Sequence, residues 1–204
     1  MRIFVPMNAQ TAPAAVTCDN MIIADADYVD KVAFDLTVNF ERMIGRRIPK
    51  ADMARWIDCV ALDGGVREGK EQTQVVLIHS KKHTGMANFT PGDYATELNG
   101  QAFSDNLGEF VISAVSEERI ASREELFVST VQLCCAAKEV KRLILIPDEQ
   151  YYDSVRQALR RADSDQRITL LAMQPMPGGQ FGQEILGYSL MSALGIRSEE
   201  LTGL

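Results

Sequence analysis

From Glu109 onward the chain repeats one pattern three times: an aliphatic run of strand length, a short link, then a stretch with helical spacing. Phe110-Val-Ile-Ser-Ala-Val115, residues 141–146 and residues 167–173 supply the strands, and residues 123–138, 149–162 and 181–194 supply the helices between and after them. Unbroken apolar runs suit strands covered on both faces, and helices interleaved this closely must be crossovers between parallel strands. Right-handed crossovers then distribute helices over both faces of the sheet. The expected fold is α/β, a three-layer α/β/α sandwich around a mainly parallel, Rossmann-like sheet.

The first half fits the same plan less regularly. Residues 2–5 and 20–24 read as strands, and Tyr28, Val32, Leu36, Phe40 and Ile44 mark one face of a helix stopped by Gly45. A second helix carries Met53, Trp56, Ile57 and Val60 and stops at Asp63-Gly64-Gly65; residues 74–79 form the next strand. Residues 80–107 contain Gly85, Pro91, Gly92 and Gly100, which predicts a loop excursion from the core. The helix from Arg123 is apolar nearly all round (Leu126, Phe127, Val128, Val131, Leu133, Cys134), so burial on more than one side is expected. With 204 residues, one domain spanning 1–204 is the expected organisation.

Composition narrows the chemistry. Four cysteines lack a CxxC spacing and only two histidines, His79 and His83, occur, which argues against zinc. Cys134 and Cys135 sit in an apolar helical run and read as small buried hydrophobes. Reduced thiols, the lack of an 18-residue apolar span and an N-terminus unlike a secretory signal lead to the expectation of a cytoplasmic protein that does not engage a membrane. A net charge of -7 disfavours a broad nucleic-acid-binding surface. No haem and no nicotinamide cofactor are expected; the glycine-bearing segment lies far from the first βα unit, where a dinucleotide fingerprint belongs.

Acidic residues close the strands. Met21-Ile-Ile-Ala-Asp25-Ala-Asp27 and Arg142-Leu-Ile-Leu-Ile-Pro-Asp148 both run from an aliphatic strand into aspartate. Carboxyl ends of parallel strands face a common crevice, and Mg²⁺ and Mn²⁺ prefer carboxylate oxygens. Asp25, Asp27 and Asp148 are therefore candidate metal ligands, with Glu124 or Glu125 at the opening of the mid-chain helix as a further catalytic carboxylate and Asp63 as a more remote one. Structural uses compete: Ser122-Arg-Glu-Glu125 has capping-box spacing, and Asp27 and Asp148 each stand where a helix cap would.

An aspartate ending the first core strand, an acid opening a mid-chain helix, and a late aliphatic strand ending in aspartate resemble the PIN-like superfamily, especially its NYN branch of metal-dependent ribonucleases. The resemblance covers residues 20–175. It implies a Mg²⁺- or Mn²⁺-dependent RNA phosphodiesterase in which Asp25, Glu124 or Glu125, and Asp148 hold metal, or an inactive relative of one. The family's Ser-Gly-Asp-Ser-Asp-Phe corresponds to Ile146-Pro147-Asp148-Glu149-Gln150-Tyr151, so proline replaces glycine and Gln150 replaces the second aspartate.

Two other readings come from the residues alone. Gly178, Gly179 and Gly182 precede the last helical stretch, whose amides would bind a phosphate or nucleotide if the loop led straight into a helix. Alternatively, Met173, Met176 and residues 185–194 would form an apolar surface for a homo-oligomer or another partner.

Overall fold

Successive side chains of Asn20–Asp25 (β2) point to opposite sides of the sheet, and this strand separates two cores. Ile22 and Ala24 join one apolar cluster, Met21 and Ile23 the other. The computed structural model describes residues 4–6, 18–117, 121–179 and 181–201. Residues 2–3 of the first expected strand therefore lie outside the described residues. β2 is followed by Ala26–Ile44 (α1), which ends at Gly45, where a φ of 68° favours glycine. Ala51–Asp52 (β3), Met53–Asp63 (α2) and Gln72–His79 (β4) complete the first half.

Six strands run parallel. The order is Gly108–Ser116 (β7), β4, β2, Arg142–Ile146 (β8), Arg167–Ala172 (β9) and Gly182–Ile185 (β10). Val5–Pro6 (β1) and Gln101–Asp105 (β6) extend the β7 edge with antiparallel pairing, giving an eight-stranded sheet. α1, α2 and Leu186–Ala193 (α5) cover one face; Arg123–Ala136 (α3) and Tyr152–Leu159 (α4) cover the other. The three-layer α/β sandwich expected from the alternation is what the chain forms.

The strand order locates the site. The chain first builds outward from β2 through β4 to β7, then returns to the opposite side of β2 and builds outward again through β8, β9 and β10. The direction reverses between β2 and β8, and crevices at such a reversal are where open α/β sheets meet ligands. Asp25 ends β2, and Asp148 lies two residues beyond β8.

Three expectations require correction. Residues 80–107 are not a loop excursion: they contain Phe89–Thr90 (β5), a π-helical turn at Tyr94–Leu98 and β6, with Met86, Phe89, Tyr94 and Leu98 buried in the core. Their apolar residues recur at no single period, so neither template detects them. Residues 181–194 divide into an edge strand and a helix, because β10 pairs with β9 from Gly182↔Thr169 to Ile185↔Ala172 before α5 begins. Finally, α3 is buried on one side only: Phe127, Val131, Cys134 and Cys135 face the sheet, while Leu133 is 68% exposed.

Candidate functional site

Helix starts position the acids at the reversal. Asp25 is the N-cap of α1, its Oδ1 accepting the Tyr28 amide at 2.9 Å, and the residue is fully buried. Asp27, the second residue of α1 and not its cap, accepts the Ser80 amide at 3.1 Å and faces His83 Nδ1 at 3.1 Å. Asp148 caps the short 3-10 turn Glu149–Tyr151 by accepting the Gln150 amide at 3.0 Å. Capping does not remove these carboxylates from the crevice, since each retains an oxygen directed to another partner.

That partner is Arg123, the first residue of α3. Its guanidinium lies 2.8 Å from Asp25 Oδ2, pairs with Asp27 Oδ2 and reaches Asp148 Oδ2 at 3.7 Å. The Nε–H donates to Tyr151 Oη at 3.0 Å, so its contact with Asp25 Oδ2 is an ion pair without hydrogen-bond alignment. Around the cluster, Tyr28 Oη donates to Glu149 at 3.1 Å, Ser80 Oγ donates to Glu117 at 3.0 Å, and His79 stacks on Tyr94 with ring centroids 3.8 Å apart.

Burial sets the electrostatics. Desolvation pushes the Asp25 carboxyl up to about 6, although the Tyr28 amide and Arg123 both favour its charged form. Arg123 experiences the opposite balance: burial works against its charge, but Asp25, Tyr151 and Asp27 outweigh burial and hold it above its ordinary value. Burial also pushes Tyr151 up to about 12. The crevice is thus a dense ion cluster in which one guanidinium faces three carboxylates.

The two glutamates do not join it. Glu125 closes the capping box with Ser122, receiving the Ser122 amide at 2.8 Å while Ser122 Oγ accepts the Glu125 amide at 3.2 Å. Glu124 accepts from Ser154 Oγ at 2.6 Å. Asp63 stands at the end of α2, in the neighbourhood of Glu184. The expected carboxylate set is therefore reduced to Asp25, Asp27 and Asp148.

These three do not suit a resident Mg²⁺ or Mn²⁺ in this arrangement. The cationic position between them is held by a guanidinium, Asp25 is closed off from solvent, and among the described residues no three His, Cys, Asp or Glu side chains form a metal-holding group. Sequence reasoning passed over Arg123. One signal was available: a cation in the first turn of a helix opposes the helix dipole, so an arginine there needs a compensating partner.

The glycine loop fails in its expected form. Gly178 has a φ of 72°, but the segment enters strand β10 instead of a helix, so no helix amides converge on it. Arg156, which donates to Pro177 O at 2.9 Å and pairs with Asp153, ties the loop to α4. The apolar assembly surface is mostly interior, since Met176, Leu186, Leu190 and Leu194 are buried; Ile185 and Tyr188 remain outside. All four cysteines are free thiols, with Cys18, Cys134 and Cys135 buried. No helix among the described residues is long and apolar enough to cross a membrane.

Fold and site together define an α/β protein of Rossmann strand order whose reversal point holds an arginine-centred cluster of aspartates. The chain belongs to DUF6621, a family of unknown function whose model matches residues 15–201. Neither the curated proteins nor the solved structures contain a match to it.

Proposed function

We propose that this chain is a non-hydrolytic relative of the PIN-like, NYN-type ribonucleases, a binding module in which the nuclease centre has become an ion-pair cluster. The observation that carries the reading is Arg123 among Asp25, Asp27 and Asp148. A guanidinium supplies positive charge to the carboxylates but has no open coordination position, so it can neither activate a water nor bridge a phosphoryl oxygen as a metal does. Gln150 in place of an aspartate, Pro147 in place of glycine, and the commitment of Glu125 to its cap support the same reading. The expected result is that neither Mg²⁺ nor Mn²⁺ raises the Tm of the wild-type chain, and that single-stranded RNA stays intact in their presence. A metal-dependent rise in Tm that Asp148→Asn abolishes, accompanied by RNA cleavage, sinks the reading.

Self-association is a second reading, favoured by one feature. β10 is an edge strand with all four residues exposed, its Ile185 among them, and Tyr188 adds apolar surface beside it. Open edges of this kind pair readily with another chain. Sedimentation velocity is expected to show a concentration-dependent species heavier than 22.6 kDa, lost in Tyr188→Lys. A monomer at all concentrations rules this reading out.

A further inference from the structure

Beside the ion cluster, on the α1 side, is a cavity of about 300 Å³ whose wall includes Asp27, Asp30, Phe34, His83, Ala87 and Tyr94. One buried polar atom in this wall has no hydrogen-bond partner, the hydroxyl of Tyr94, a residue only 4% exposed. A second, Oδ1 of Asp27, belongs to a side chain more than nine-tenths buried and meets only the exposed ring of His83, at 3.1 Å. A buried hydroxyl left without a partner is unfavourable, and one lining a cavity beside two carboxylates marks a place where a ligand completes the structure.

The chemistry of the missing partner follows from what surrounds it. Asp27 and Asp30 are both carboxylates, and Asp30 spends one oxygen on the Asn88 amide at 2.8 Å. Burial, then Asp27 and Asp30, raises the pKa of Tyr94, so its hydroxyl stays neutral and its oxygen retains lone pairs. Lys31, the nearby cation, extends along α1 to Asp35 at 3.7 Å. His83 rests over Asp27 Oδ1 with its side chain 58% exposed, so the ring can leave toward solvent without disturbing the core. The wall therefore presents oxygen acceptors, two carboxylates and a hydroxyl, with Lys31 in the same wall and Arg123 on the far oxygen of Asp27 as the cations facing them, beside the half-exposed ring of Phe34 and the side chain of Ala87.

We propose that this cavity binds an organic cation, a primary ammonium or guanidinium on a short apolar stem, with its N–H groups donating to Tyr94 Oη, Asp27 Oδ1 and Asp30. An ammonium offers three donors and no acceptor, which matches three oxygens. Phe34 at the rim adds the face of an aromatic ring, against which a cation is attracted. A cavity of this volume lies at the small end of ligand sites, so the ligand is a small amine or the end of a lysine or arginine side chain. The site shares Asp27 with the Arg123 cluster, through the oxygen that Arg123 does not hold, while Asp30 and Tyr94 stand outside that cluster.

Titration of the full chain with n-butylammonium, followed by the NMR signals of Tyr94 and His83, is the test. Saturable shifts with a millimolar Kd are expected, with n-butanol, the neutral analogue, producing none. Tyr94→Phe breaks no existing hydrogen bond and should fold normally while weakening binding about tenfold, the worth of one hydrogen bond to a charged group. Asp30→Asn keeps an acceptor for the Asn88 amide and should abolish binding. Stronger binding of N-acetyl-lysine amide assigns the cation to a peptide side chain, and weaker binding assigns it to a free amine; both support the site. Absence of saturation, equal binding of n-butanol, or unchanged affinity in folded Tyr94→Phe overturns it.

Discussion

Arg123→Ala is expected to remove about 3 to 5 kcal/mol of folding stability at pH 7, measured as a lower urea midpoint with an unchanged slope. The size follows from what is left behind. Asp25 is fully buried and Asp27 nearly so, and both lose the cation that faces them. Water cannot reach Asp25 to replace it, so the carboxylate keeps its desolvation cost without the compensating charge. Tyr151 also loses a 3.0 Å hydrogen bond. The deficit should shrink on acidification, because protonated carboxyls no longer need the cation. Arg123→Lys should recover part of the loss: a lysine restores the charge but cannot face three carboxylates and Tyr151 from one planar fork. A loss below about 1 kcal/mol in Arg123→Ala, the range of exposed ion pairs, would show that the cluster is a surface feature only.

How legible this cluster was depends on the physical signal each part leaves in the sequence. β2, β4 and β8 are covered on both faces, so they appear as unbroken aliphatic runs and their ends could be located, including the aspartates beyond them. β10 leaves no such run because all four of its residues are exposed; its identity rests on backbone pairing with β9, which composition does not encode. Glu125 could be assigned to its cap because the capping box is a local, four-residue geometry. The role of Arg123 is not local: Asp27 lies 96 residues away and the two meet only after β2 and α3 are placed against the same sheet. The acids that meet at the crevice were legible as strand ends, whereas the cation that faces them was not.

A shallower pH dependence of stability is the second large effect, expected from Asp25→Asn. In the unfolded chain the Asp25 carboxyl returns to its ordinary value of 3.8, whereas burial in the folded chain holds it at about 6. The folded state therefore binds this proton more tightly than the unfolded state. The stability that Asp25 contributes is complete below pH 3.8 and is withdrawn as the pH rises through 6. A shift of this size corresponds to about 3 kcal/mol over that interval. Other acids push the opposite way: Glu200, paired with Arg46, is held down at about 2, and Asp93, Glu97 and Glu125 are lowered by the hydrogen bonds they accept. Wild-type stability alone therefore mixes the two trends, and the difference between wild type and Asp25→Asn isolates the buried carboxyl. Asparagine can still accept the Tyr28 amide, so the α1 cap survives. Asp27 and Asp148 remain to balance Arg123. Unfolding free energies between pH 4 and pH 8 should then show the variant gaining on the wild type as pH rises, with the change centred between the two values of the Asp25 carboxyl. Parallel profiles for the two proteins would mean that the Asp25 carboxyl titrates alike in the folded and unfolded chains, with Arg123 cancelling the effect of burial; a variant that loses ground as pH rises would mean that Arg123 outweighs burial.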